Sequence, residues 1–167
     1  AGNESNQSNQ ACATTISTGT GYPDTVVDAI SVGTSPIGLA VTPSGENVYV
    51  ANSADDTVSV IRTSDNNVIT SVPVGGRPQR VAISPNGSFV YVSNSNDDTV
   101  SVIRTSNNTV IDTIAVGDSP YNLAVTPNGS YVYVVNGVAS EDNTISVIRT
   151  SDNTVVDTIP LETSPIS

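Results

Sequence analysis

The residues able to do chemistry are few, and most of them recur at fixed spacing. Adjacent acidic residues stand at Asp55-Asp56, Asp97-Asp98 and Glu141-Asp142, each just before an apolar run. Two carboxylates at a turn can hold Ca²⁺ together with backbone oxygens, or act as an acid–base pair on a sugar. The alternate spacing of an EF-hand loop is absent, and neighbouring Asp residues in a hairpin turn more often cap backbone N–H groups. Capping is therefore expected, with at most weak surface calcium. Arg62, Arg104 and Arg149 recur in the same way, as do Asp112 and Asp157. A residue present in every repeat usually serves the packing of the repeat, so a ladder of ion pairs between strands or repeats is expected rather than an anion-binding ring.

Other chemistry-bearing residues do not follow the repeat. Arg77 and Arg80 have Ser35 and Gly38, or Ser119 and Asn122, as counterparts, and Tyr121 is likewise unrepeated. These three are the candidate binding-loop residues. Asn-x-Ser/Thr sequons begin at Asn3, Asn6, Asn86, Asn107 and Asn128; with 17 Asn and 43 Ser plus Thr, chance alone gives about four. Their number is uninformative, but Asn86 and Asn128 fall at matching Asn-Gly-Ser turns expected to face solvent, and Asn86, Asn107 and Asn128 are candidate glycosylation sites. The lone Cys12 is expected to behave as a small apolar residue rather than as one half of an intermolecular disulfide. Gly19-Thr20-Gly21 lacks the lysine and the strand–helix context of a phosphate loop.

What is missing excludes whole classes of function. The 167 residues carry 16 Asp plus Glu against five cations, all Arg, for a net charge of −11, with no His, Lys, Met or Trp. A nucleic-acid binder needs a basic stripe to displace counterions. No apolar stretch approaches the length of a bilayer-spanning helix. Without His or Lys there is no Ser-His-Asp triad, Schiff-base lysine or His-ligated metal. No catalytic, cofactor or metal residue is assigned, and the chain is not expected to be an enzyme. Charged residues make up 13%, against roughly 25% in ordinary soluble domains. A surface of hydroxyls and amides hints at an extracellular setting. With no Met at the start, either a signal peptide has been removed or the sequence begins inside a longer protein.

The elements that must position these residues follow from an internal repeat. Val32–Pro73 and Val74–Ala115 are 42 residues each, and Val116–Pro160 is 45, the extra three falling near Gly137–Ser140. Residues 13–31 align with the second half of a repeat, Asp28 matching Asp112 and Asp157. Leu161–Ser167 is a stub of another, and residues 1–10 read as a flexible polar tail. Val and Ile total 39 against 3 Leu, a composition suited to half-buried pleated strands. The second repeat predicts strands at Gln79–Ser84, Phe89–Ser93, Thr99–Thr105 and Thr109–Val116, parted by polar turns such as Pro85-Asn86-Gly87-Ser88. Four short antiparallel strands every 42 residues predict an all-β fold of tandem propeller blades: three whole blades with partial blades at each end.

The repeat resembles the YVTN family of β-propeller repeats of surface-layer and secreted proteins. The naming motif stands as Tyr49-Val50-Ala51-Asn52, Tyr91-Val92-Ser93-Asn94 and Tyr133-Val134-Val135-Asn136, over residues 13–167. One departure is Arg62, Arg104 and Arg149, where the family usually has Asp. The resemblance implies an extracellular or cell-surface location and a structural or binding role, without one conserved active site.

A propeller ring typically needs four to eight blades. Three solutions follow: the chain is part of a longer propeller, two chains close a ring of seven, or units join head to tail as a filament. The expected function is that of an extracellular structural protein, a homo-oligomer self-associating through its open blades into a surface layer or filament. The alternative is a binding module, part of a closed propeller that recognises glycan, peptide or matrix. The expected partners are the chain itself and glycans, with no nucleic acid and no membrane span.

Overall fold

The computed structural model describes residues 10–11, 26, 28–137 and 143–161. Cys12, Glu141-Asp142, Asn3, Asn6 and most of the C-terminal stub lie outside the described residues, as do residues 138–140 of the insertion near Gly137–Ser140. Among the described residues every element is a strand. Blade A comprises β3 (Pro36–Val41), β4 (Asn47–Asn52), β5 (Thr57–Arg62) and β6 (Asn67–Pro73). Blade B comprises β7 (Pro78–Ile83), β8 (Phe89–Asn94), β9 (Thr99–Arg104) and β10 (Thr109–Ala115). Blade C comprises β11 (Asn122–Val125), β12 (Tyr131–Val135), β13 (Thr144–Arg149) and β14 (Thr154–Pro160). Each blade is an antiparallel meander in sequence order, and the predicted strands of blade B hold to within one residue. Two short strands, β1 (Gln10–Ala11) and β2 (Ile30–Ser31), pair ahead of them, with Gln10 opposite Ser31. Gln10, assigned from sequence to a flexible tail, is therefore in a ladder; it occupies the place that Thr144 takes opposite Pro160.

The hairpins close for local reasons. In the first turn of each blade Gly45, Gly87 and Gly129 have φ between 71° and 76°, a region open to glycine without a steric cost. Their amides bond back to the carbonyls of Thr42, Ser84 and Thr126 at 2.8 Å. The threonine after each recurrent Arg then ties the third turn to the first. Thr63, Thr105 and Thr150 donate their hydroxyls to the carbonyls of Gly45, Gly87 and Gly129 at 2.6–2.7 Å.

The blades stack face to face, their first strands β3, β7 and β11 drawn together and their fourth strands splayed apart. One core lies between A and B, where Tyr49, Ala51, Val58, Val60 and Val72 meet Val81, Val90, Val92 and Ile103. The equivalent core between B and C joins Tyr91, Val100, Val102 and Ile114 to Leu123, Val132, Val134 and Ile148. Among the described residues the outermost faces lack such cover. Tyr49 and Tyr91 are 0% and 1% exposed, but Tyr133, the same motif position in blade C, is 41% exposed. On the opposite side Val81 and Leu123 are 9% and 7% exposed, whereas Leu39 of blade A is 60% exposed.

The asparagine that ends each motif is an internal strut. Asn52, Asn94 and Asn136 are buried, and each Nδ2 donates to two hydroxyls of the third strand: Thr57 and Ser59, Thr99 and Ser101, Thr144 and Ser146. Gly33 and Gly75 lie directly over the first two of these amides; a Cβ there would come within 2.6 or 2.7 Å of Asn52 or Asn94. The crossover glycine thus marks a close approach of loop to asparagine as much as a turn.

Candidate functional site

The crossover loops gather the candidate residues on one end of the blade stack, and the paired aspartates organise it. Asp55 Oδ2 accepts from the Thr34 amide, and Asp97 Oδ2 from the Gly76 amide at 2.7 Å, each within its own blade. The second member of each pair reaches forward. Asp56 Oδ1 accepts from Arg77 N, and Asp98 Oδ1 from Ser119 N, both at 2.8 Å and both in the next blade. One aspartate therefore caps the loop and its neighbour staples two blades together, which is the expected capping role with a cross-blade half that spacing did not reveal. Both ends of the staple are backbone-special: Asp56 and Asp98, and Ser35, Arg77 and Ser119, have φ of 49–55°. Asp tolerates this left-handed region better than most residues other than glycine. Arg77 is the outlier, held there by Asp56.

The three unrepeated residues are brought near one another. Arg80, on β7, donates from Nη2 to Tyr121 Oη at 2.6 Å, and its guanidinium carbon lies 4.6 Å from the ring centroid. Nη1 donates to the Gln79 carbonyl at 3.0 Å and reaches that of Ile37 at 3.5 Å, so one side chain touches the first strands of A and B and the residue just before the first strand of C. Such a cation–π contact is worth about 0.5–1 kcal/mol at an exposed site. Beside it an open groove of about 590 Å³ runs between blades A and B, lined by Ser35, Ile37, Ser53, Asp56, Arg77 and Asn96. The Arg77 side chain is exposed and makes no ion pair among the described residues. The arrangement offers a cation, hydroxyls and an amide to a ligand.

Among the described residues the expected ladder of ion pairs is not found. Arg62 pairs with Asp65, and Arg149 with Asp152 at 2.6 Å, each three residues on within one turn. Asp28 and Asp112 instead accept from the Asn66 and Asn153 amides of the following blade at 2.9 and 3.0 Å. The reason is a bulge in the fourth strand. The register slips around Ile69, Ile111 and Val156, turning those residues outward and aiming the next position at the neighbouring blade. Arg104 has no carboxylate in its turn, because Asn107 stands where Asp65 and Asp152 stand.

Hydrogen bonding by Arg62 holds the Asp65 carboxyl down to about 2, and Arg149 together with Thr154 does the same for Asp152. A carboxylate depressed in the folded chain favours folding above its unfolded value near 4, and that contribution fades as pH falls toward 2. Followed by carboxyl NMR shifts, Asp65 should titrate near pH 2, and Arg62→Ala should return it to the ordinary range near 4. A midpoint near 4 in the parent would mean the pair does not form in solution. Burial pushes the phenols of Tyr49 and Tyr91 up.

The three described sequons differ. Asn86 and Asn128 use Oδ1 to close their own turns, accepting from Ser88 N and Ser130 N at 3.0 Å and from the hydroxyls of Ser84 and Thr126 at 2.7 Å. Asn107 is exposed on the β9–β10 turn, where it accepts from the Thr109 hydroxyl at 2.9 Å. Among the described residues no group of three or more His, Cys, Asp or Glu could hold a metal ion, and no helix is long and apolar enough to cross a membrane.

Comparison with known proteins agrees with the architecture. Residues 5–111 match the family model described as lactonase, 7-bladed beta-propeller. No curated protein matches the chain. Among solved structures, the hydrazine synthase of Kuenenia stuttgartiensis is 27% identical with a TM-score of 0.74, over 89% of this chain and 40% of that one. A functionally unknown protein from Desulfotomaculum acetoxidans is 20% identical with a TM-score of 0.69, over 81% of this chain and 45% of that one, a likeness of fold alone. The chain spans less than half the length of either.

Proposed function

Because the chain belongs to the seven-bladed β-propeller family described as lactonase, and its blades pack face to face over apolar cores, we propose that it works by blade-to-blade association. The forward face of blade C packs on the backward face of blade A in a second copy, giving a ring or a head-to-tail filament. The setting is extracellular or cell-surface, and the repeat is of the YVTN type carried by the three Tyr-Val-x-Asn motifs. The observation that carries the reading is the exposure of Tyr133 and Leu39 at positions that are buried wherever a neighbouring blade is present. A polar bond points the same way. Asp28 and Asp112 bond an asparagine of the next blade, whereas Asp157, their counterpart in blade C, bonds only its own Thr158 amide at 2.9 Å among the described residues.

A second reading rests on Arg80, Tyr121 and the groove beside Arg77: the loop end recognises an acidic or hydroxyl-rich ligand. The family name and the hydrazine synthase neighbour bring catalysis into view. In this chain, however, each of Asp55, Asp56, Asp97 and Asp98 already commits a carboxylate oxygen to a backbone amide.

Two charge substitutions test association. Tyr133→Asp should block the forward face and Leu39→Asp the backward face, so each variant alone should sediment as a monomer while the parent forms rings or fibres by electron microscopy. Mixed in equal amounts, the two variants should form dimers and nothing larger, since only one pair of intact faces remains. A parent chain that stays monomeric, or variants that assemble as well as the parent, would overturn the reading. Turnover of a lactone by such a monomer would move the assignment to catalysis.

A further inference from the structure

We propose that Asn107 is an N-glycosylation site, and that Asn86 and Asn128 are not, although all three carry the sequon. The proposal is independent of how the blades associate. In blades A and C the position equivalent to Asn107 is Asp65 or Asp152, and that carboxylate pairs with the recurrent Arg of the same turn. In blade B the amide stands instead, Arg104 loses its partner, and the sequence becomes Asn107-Asn108-Thr109. The turn gives up an ion pair and gains an acceptor amide.

The geometry separates this sequon from the other two. Only at Asn107 does the sequon's own hydroxyl reach its asparagine, Thr109 Oγ1 donating to Asn107 Oδ1 at 2.9 Å. Thr109 is β-branched and stiff at χ1, so the hydroxyl is held in place and the amide with it. Nδ2 makes no hydrogen bond among the described residues and is the atom to be glycosylated. At Asn86 and Asn128 the hydroxyl on Oδ1 comes from two residues before, Ser84 or Thr126, and the backbone amide of the sequon serine takes part in closing the hairpin. Moving either amide into a transferase would open its turn. Asn86 also lines a groove with Thr42, Pro43 and Ser106, where a glycan would meet blade A.

The β9–β10 turn is fixed from behind rather than by Asn107. Asn108 has φ of 52° and accepts from the phenol of Tyr49 at 2.6 Å, so the turn keeps its shape while Asn107 and Thr109 remain exposed. Transfer from a polyprenyl diphosphate-linked oligosaccharide forms a bond from Nδ2 to the sugar's anomeric carbon. It breaks that carbon's bond to the diphosphate oxygen, which leaves with the lipid, and one amide proton passes to a base of the transferase.

Glycopeptide mass mapping of the full chain tests this, using folded protein incubated with an oligosaccharyltransferase and a polyprenyl diphosphate-linked oligosaccharide, and protein secreted by its own cells. Both should carry glycan on the peptide containing Asn107, with Asn86 and Asn128 bare. Thr109→Val, which removes the hydroxyl and keeps the shape, should abolish the modification. So should Asn107→Asp, which recreates the turn of blades A and C and should melt no lower than the parent. A bare Asn107 in either preparation, or glycan at Asn86 or Asn128 at equal or greater occupancy, would overturn the proposal.

Discussion

Tyr91→Ala should cost about 3–5 kcal/mol of folding stability, and Tyr133→Ala less than about 1 kcal/mol in the unassociated chain. Both residues open the same four-residue motif, so nothing in their local sequence separates them. Tyr91 is enclosed between β9 and β10 of its own blade and Leu123, Val132 and Ile148 of the next. Removing its ring leaves a cavity that the β-branched neighbours are too stiff to fill. Against a total of roughly 5–15 kcal/mol for a domain of this kind, the loss brings the chain near unfolding. Tyr133 has blade C on one side and no described blade on the other, so truncation removes contact without leaving a hole. The measurement is the urea midpoint of each variant at a concentration low enough to prevent association. Equal losses at the two positions would mean that blade C is already covered, and the contrast in burial would have to be abandoned.

Gly38→Ala should destabilise by about 1–3 kcal/mol, the range for forcing one extra methyl into a packed contact, and should drive β3 away from β7. A Cβ at residue 38 would lie 2.5 Å from the Gln79 carbonyl oxygen and 2.9 Å from Arg80 Cα. Both are backbone atoms, so no side-chain rotation relieves the clash and the two first strands must part. The shift would also carry the Ile37 carbonyl away from the Arg80 guanidinium. Gly45→Ala is the control: its φ of 76° carries strain, but no atom lies within 4 Å of the new methyl. Its effect should stay local to the first turn, whereas Gly38→Ala should speed amide exchange along both β3 and β7. An unchanged melting temperature for Gly38→Ala would show that blades A and B stand further apart than described.

The blade was legible because its signals are local. Alternating Val and Ile mark the strands, and Pro-x-Gly marks the first hairpin, so the four strands of blade B could be bounded to within one residue. The capping work of Asp55 and Asp97 was legible for the same reason. What spacing could not show is how one sheet sits on the next. The forward bonds of Asp56 and Asp98, the stacking of Arg80 on Tyr121 and the pairing of Asp112 with Asn153 all cross between blades. The ladder of Arg and Asp failed on a single residue of slippage: a bulge at Ile111 changes which side of β10 Asp112 occupies, and strand alternation alone cannot see it. The left-handed backbone at Arg77 was also hidden, since an arginine carries no turn signal of its own.

The staples described above all join a blade to its immediate neighbour. Asp56 reaches Arg77, Asp98 reaches Ser119, and Asp112 reaches Asn153, with no bond of this set skipping a sheet. For the aspartate–amide staple, a gene encoding such an array can therefore gain or lose a 42-residue segment by unequal crossing-over without orphaning a partner, because a unit such as blade B brings both the Arg77 amide and the Asp98 carboxylate of its two joints. Blade number is then a quantity that heredity can tune in whole steps, while the joint stays unchanged.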